Sequence, residues 1–210
     1  MIKNKKILVV GAGNAGRPVA NLLNFLENSV VVNDLNSYEN LPKKAKQNID
    51  ILKNRGIVFE LGSHDNIVLN DFDYVFISPN IPEKSPFIIK INDFATNGKI
   101  NIIETKQIGK ILNSLISIPM IGIAGTDGKT TSTNMINYQF SQNKKTLIFS
   151  SLQNSLVIEG LVEMIINNDG RNKDLAIFEL PHGTIRLAEG LELTAALLIN
   201  LTPDHMDEFN

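Results

Sequence analysis

The sequence predicts an α/β architecture of parallel sheets and helices, and three observations carry that expectation. Short runs of β-branched and other apolar residues alternate with segments of helical spacing along the 210 residues. The strand-like runs are almost wholly apolar, as strands buried on both faces require. Two of them end in glycine-containing turns that lead straight into helical patterns, the join expected where a strand feeds a crossover helix.

Taken in order, Ile7–Val10, Val30–Val32, Ile57–Phe59, Tyr74–Ile77 and Ile100–Ile103 are the expected strands of a first sheet. Arg17–Leu26 and Lys43–Lys53 between them carry helical spacing; the second mixes Lys with Asp and reads as a solvated face, not a basic patch. A helical stretch over Lys106–Leu115 leads to a second series. Pro119 opens a strand to Ala124, Lys129–Asn143 is helical, and Thr146–Phe149, Leu175–Glu179 and Ala195–Asn200 are further strands. A boundary near Ser117–Pro119 therefore separates two α/β units, residues 1–117 and 118–210, and not two halves of one sheet.

Composition removes several classes. Twenty Lys and Arg stand against 22 Asp and Glu, a net charge of −2, so no general field draws the protein to nucleic acid or anionic lipid. The 43% hydrophobic content suffices for a core and excludes a wholly disordered chain. No Cys is present, which rules out disulfides, a thiolate zinc site and a Cys nucleophile, and fits a reducing cytoplasm best. Lys3, Lys5 and Lys6 precede only a short apolar run, against the roughly 7–15 apolar residues of a signal peptide. The uncharged stretch Ile111–Thr126 is broken by Asn113, Ser114, Ser117, Pro119 and Gly122, so membrane insertion is not expected.

The first turn reads Gly11-Ala12-Gly13-Asn14-Ala15-Gly16. It follows a strand and opens a helix, the setting of a dinucleotide fingerprint, in which glycines let the backbone approach a phosphate at the helix N-terminus. Asp34 closes the next strand, where a ribose or base contact would be made. This pattern points to a phosphorylated nucleotide more firmly than to NAD; a tight turn without a ligand is the plainer alternative. Arg17 reads equally as a phosphate contact or as an exposed arginine. His64 reads as a loop residue beside the first sheet and not as a catalyst.

The second turn is sharper. Gly125-Thr126-Asp127-Gly128-Lys129-Thr130-Thr131 joins a strand to a helix, and successive N–H groups in such a loop form an anion-binding concavity. Lys129 would reach terminal phosphates and the Thr130 hydroxyl would ligate Mg²⁺. The usual Gly-x₄-Gly-Lys-Thr spacing is not met, since position 123 is Ile.

At these residues the sequence resembles the Mur ligase family of ATP-dependent amide-bond-forming enzymes of cell-wall precursor synthesis. Ala124–Thr131 looks like that family's variant of the phosphate loop. Phe178-Glu179-Leu180 sits where the family has a strand ending in a magnesium-binding Glu. Asn200-Leu201-Thr202-Pro203-Asp204-His205-Met206-Asp207 is similar to its Asn-x-Thr-x-Asp-His-Met-Asp segment, whose His helps to hold a second metal. Gln153-Asn154-Ser155 is a weaker match to a loop carrying an ATP-site Asn. Ile77-Ser78-Pro79-Asn80-Ile81 looks like the Ser-Pro-Gly-Ile segment of the D-glutamate-adding branch, with Asn80 in place of Gly.

The resemblance implies a Rossmann-like first sheet followed by part of a P-loop ATPase α/β domain. It implies ATP and Mg²⁺ as cofactors, with Lys129, Glu179 and His205 catalytic, Thr130, Glu179 and His205 at metal, and Asn154 at the ATP site. It also implies that Gly11, Gly13, Asn14, Ala15, Gly16, Asp34, Ser78 and Pro79 bind the uridine diphosphate of a UDP-linked precursor, to which an amino acid is added. Pro181-His182-Gly183-Thr184 departs from the family's Ser-Ser-Phe-Gln type run, which points to a divergent relative, an archaeal pseudomurein-type ligase being one option; His182 there reads as a solvated loop residue. Residues 118–210 amount to about half a middle domain, and the family's carbamylated lysine lies beyond Asn210. The expectation is that these 210 residues alone form no amide. Two other readings stay open: a nicotinamide-dependent oxidoreductase using Gly11–Gly16 and Asp34, and a nucleotide-binding module without catalysis.

Overall fold

The computed structural model describes residues 2–153, 157–180, 186 and 188–202. Its strands fall into two sheets, and the chain divides between Ile108 and Gly109 into two units.

In the first unit β1 (Lys6–Val10), β2 (Ser29–Asp34), β3 (Val58–Leu61), β4 (Tyr74–Ile77) and β5 (Asn101–Ile103) pair in parallel in the order β3-β2-β1-β4-β5. The central strand shows why the sequence there is continuously apolar. Ile7, Leu8, Val9 and Val10 are all buried, and burying such side chains contributes roughly 1.5–3 kcal/mol each. The register sets Val10 beside Asn33 and Ile77, so the ends of β1, β2 and β4 lie together where the first glycine turn begins. Helix α1 (Gly16–Phe25) starts at that turn and buries Val19, Ala20, Leu22 and Leu23. Helix α2 (Lys43–Asn54) buries only Ile49 and Leu52, the behaviour of a solvated helix with one apolar stripe.

Helix α3 (Pro86–Thr96) was not singled out by its spacing, yet its start is encoded. The Ser85 hydroxyl accepts from the Ile88 N–H at 3.4 Å, and Pro86 occupies the first turn where no N–H is needed. Its Phe87, Ile88 and Ile91 join Leu8, Val75 and Phe72 in one core cluster.

The division falls inside α4 (Thr105–Leu115). The later part of this helix is tied to the second unit through Asn113, which donates to the Gly190 carbonyl at 2.7 Å and accepts from the Glu192 N–H at 3.0 Å. There β6 (Met120–Ala124), β7 (Thr146–Phe149), β8 (Leu175–Glu179) and β9 (Ala195–Leu198) form a parallel sheet in the order β7-β8-β6-β9. Helix α5 (Lys129–Ser141) follows β6 directly, and α6 (Val157–Asn167) precedes β8. All five residues of β8 are buried, Glu179 among them. Strand β9 is exposed along its length and ends at Leu198, two residues before the expected end, because Asn200 turns to bond the β6–α5 loop. No helix among the described residues is long and apolar enough to cross a membrane.

Candidate functional site

The first turn is built at the C-terminal ends of β1, β2 and β4. The Gly11 N–H donates to the Asn33 carbonyl at 2.7 Å and the Ser78 N–H to the Val10 carbonyl at 3.0 Å, which extends the ladders into the loop. Gly16 is required by contact: a β-carbon there would overlap the Gly11 carbonyl. Ser78 is buried, its hydroxyl 3.4 Å from that same carbonyl, and Pro79 follows it half-buried. Gly13 and Asn14 are exposed at the tip. Thus Gly11–Gly16, Asp34 and Ser78 are neighbours in the fold.

Asp34 has a role that its position in the sequence did not disclose. One carboxylate oxygen accepts from the Ala12 N–H at 2.7 Å, and the other from the Asn36 backbone and side chain at 2.8 and 2.9 Å. It holds the glycine turn by its backbone. Arg17 likewise folds over the turn, donating to the Ala12 carbonyl and to Asn14 Oδ1.

His64 is more firmly tied than a surface loop residue. Its ring stacks on Phe87 at 4.0 Å between centroids and its Nδ1 meets Asn33 Oδ1. The Asn33 amide donates to the Glu60 and Ser63 carbonyls, both at 2.8 Å, so its oxygen is an acceptor and Nδ1 carries the proton. Burial lowers the His64 pKa, against the opposing pull of the Asp34 and Asp65 carboxylates. A lowered folded value means that the unfolded chain takes up this proton first as pH falls. Stability is therefore lost as pH falls from the ordinary value of 6.5 through the depressed folded value, and is not regained below it. His64→Phe, which keeps a ring on Phe87, should lose less stability than the parent on acidification through that window. Parallel thermal unfolding curves across it would refute this.

The second turn forms the β6–α5 loop. Gly128 takes φ +77°, a left-handed conformation that lets the chain turn into α5 at Lys129. The first bond closing back along the helix is Ser132 N–H to the Gly128 carbonyl at 2.9 Å; the amides before it are the N-terminal donors that a helix leaves without an intrahelical partner. Such amides, with the positive end of the helix dipole, are groups that can receive an anion. Lys129 curls over the loop, its Nζ donating to the Gly125 and Thr126 carbonyls at 2.7 Å each. The ammonium is therefore held on the loop itself.

Beside it runs a chain of hard oxygens. Thr130 Oγ1 lies 2.7 Å from Ser151 Oγ, and Ser151 donates its N–H to Glu179 Oε1 at 3.1 Å, with its hydroxyl 3.5 Å from the same atom. Glu179 is 6% exposed, and no ion pair to it occurs among the described residues. A buried carboxylate without a cation is costly, so a divalent ion that accepts oxygen ligands fits this donor set. Ser151 was not anticipated as part of it; no local pattern marks a serine after β7 as a neighbour of Thr130. An open groove of about 590 Å³ adjoins, lined by Thr130, Thr131, Asn134, Met135, Tyr138, Gln139 and Leu152. Its exposed Met135, Tyr138 and Leu152 make an apolar patch of the kind that marks contact with a ligand or another surface. Asn154, His182 and His205 lie outside the described residues.

The model for the Mur ligase middle domain matches residues 123–210. An uncharacterized protein of Methanothermobacter thermautotrophicus is 54% identical over all of this chain and 66% of its own length. The UDP-N-acetylmuramoylalanine–D-glutamate ligase of Clostridioides difficile is 31% identical over 98% of the chain and 42% of that enzyme. Among solved structures, a pseudomurein peptide ligase type C from Methanothermus fervidus is similar with a TM-score of 0.53 at 25% identity, over 97% of this chain and 39% of that one. The UDP-N-acetylmuramate–alanine ligase of Thermotoga maritima shares the fold, with a TM-score of 0.55 at 20% identity over 98% of this chain and 43% of that one. The chain thus spans less than half the length of these three ligases and about two thirds of the Methanothermobacter protein.

Proposed function

The chain belongs to the Mur ligase family, and from that premise we propose that it carries the nucleotide-handling part of an ATP-dependent ligase that joins an amino acid to a UDP-linked cell-wall precursor. The observation that carries this reading is the loop Gly125–Thr131 at the start of α5, with Lys129 over it and the Thr130–Ser151–Glu179 oxygens beside it.

In the proposed reaction a carboxylate oxygen of the precursor attacks the γ-phosphorus of ATP, the bond to ADP breaks, and an acyl phosphate forms. The amine of the incoming amino acid then attacks the acyl carbon, losing a proton as phosphate departs. Bound Mg²⁺ would neutralise phosphate charge and orient the transferring group. The amides at the start of α5 hold phosphate oxygens by N–H donation. Lys129 turns its ammonium from the loop carbonyls to those oxygens and stabilises charge that grows during transfer. Thr130 and Glu179 hold the cation, with Ser151 orienting both; His205 and Asn154 complete the metal and ATP sites in this reading. No side chain need become covalent, since positioning and charge neutralisation supply the rate.

The first unit is proposed as the UDP-binding domain, residues 1–117 in the sequence division, with 118–210 as part of the ATP-binding domain. Gly11, Gly13, Asn14, Ala15, Gly16, Asp34, Ser78 and Pro79 form its site. Similarity to UDP-N-acetylmuramoylalanine–D-glutamate ligases favours this over a nicotinamide site, and Asp34 serves the turn by accepting from the Ala12 N–H and from Asn36. The reaction belongs in the cytoplasm, where ATP and UDP-linked precursors are found together. Nucleotide selection tests the proposal: a UDP-sugar should bind more tightly than NADH, and a clear preference for NADH would overturn the reading of the first turn.

A further inference from the structure

Two donors of the second turn are already engaged. Asn200 Oδ1 accepts from the N–H groups of Thr126 and Asp127 at 2.9 and 3.0 Å, and its Nδ2 donates to the Asp127 carbonyl at 3.2 Å. Thr202 adds a reciprocal pair: its N–H donates to Thr126 Oγ1 at 3.0 Å, and that hydroxyl donates to the Thr202 carbonyl at 3.1 Å. One short segment after β9 therefore ties the first half of the loop by its backbone and by a side chain. The contacts bridge more than 70 positions of sequence.

We infer that Asn200 is a positioning residue for the phosphate loop, holding Thr126 and Asp127 turned away so that an anion meets a preformed cradle of the Gly128–Thr131 amides. This deepens the phosphate-loop reading and rests on it. The physical reason is loss of freedom before binding. A glycine-flanked loop samples many backbone states, and a ligand that must order it binds more weakly than one meeting it already ordered. Asn suits the task because it is both donor and acceptor yet carries no charge. An aspartate would accept from both amides but would set a negative charge beside the phosphates.

The test uses the full chain and the fluorescent N-methylanthraniloyl derivative of ATP with Mg²⁺, together with amide hydrogen exchange. Asn200→Ala should weaken nucleotide binding by roughly tenfold, as expected when a preordered loop is released. Exchange should accelerate at Asp127, and less at Thr126, whose N–H also has the Asn200 backbone carbonyl at 3.3 Å, while the β6 amides keep their protection. Asn200→Asp should retain slow exchange at both loop amides, since the acceptor is restored. Nucleotide affinity of Asn200→Ala within about twofold of the parent would overturn the inference. So would exchange that rises equally along β6, or loss of loop protection in Asn200→Asp. Lys129→Ala serves as the reference. If it also binds normally, the phosphate-loop reading itself fails; if it weakens binding and Asn200→Ala does not, only the positioning role fails.

Discussion

Lys129→Ala is expected to weaken Mg²⁺·ATP binding by about ten- to a hundredfold. In the free protein the ammonium donates to two neutral carbonyls, those of Gly125 and Thr126. With nucleotide bound it would exchange them for phosphate oxygens, and charge-assisted bonds are about twice as strong as neutral ones. A net gain of about 1.5–3 kcal/mol corresponds to the stated range of affinity. Lys129→Met separates charge from packing, because it keeps the aliphatic stem; it should fall in the same range. Unchanged affinity in both variants would remove the phosphate-loop assignment.

Glu179→Gln should uncouple metal from nucleotide without harming the fold. The carboxylate is buried at the end of β8 and receives the Ser151 N–H, which an amide oxygen accepts equally well. What the substitution removes is the charge. Half-saturation by Mg²⁺ at fixed ATP should then need about tenfold more metal or beyond, the loss of one ionic ligand in a partly dry site. Metal-free stability should stay level or rise, since a buried charge without a cation is costly. These two responses have opposite signs, which a general loss of structure could not imitate. A Mg²⁺ requirement equal to the parent's would contradict the assigned role.

The sheets were largely legible because their information is local. An unbroken apolar run such as Ile7–Val10 identifies a strand covered on both faces, and the glycines that follow identify the turn. Helix α6 was missed although its pattern is amphipathic: Val157, Ile158, Leu161, Val162 and Met164 are buried, while the half-buried Glu159 and Glu163 stand one turn apart. Helix α3 could have been found from Ser85-Pro86, a capping serine before a first-turn proline.

The candidate site divides in the same way. Gly125–Thr131 is a contiguous signature, and Glu179 stands at the end of a recognisable strand. The partners of these residues come from far along the chain. Asn200 reaches back to Thr126 and Asp127, Ser151 joins Thr130 to Glu179, and Asp34 reaches Ala12. Register makes these contacts: pairing Ala124 with Leu198 brings Asn200 level with the loop, and pairing Val10 with Asn33 brings Asp34 to the first turn. Spacing in sequence carries no such information.

Mapping backbone-amide shifts on the full chain during separate titrations with Mg²⁺·ATP and a UDP-sugar tests the central claim, two nucleotide sites of different kind, most directly. The account predicts that ATP moves the amides of Gly128–Thr131 and that the UDP-sugar moves those of Gly13–Gly16, each leaving the other turn undisturbed. ATP acting at Gly11–Gly16, or both nucleotides converging on one turn, would contradict it.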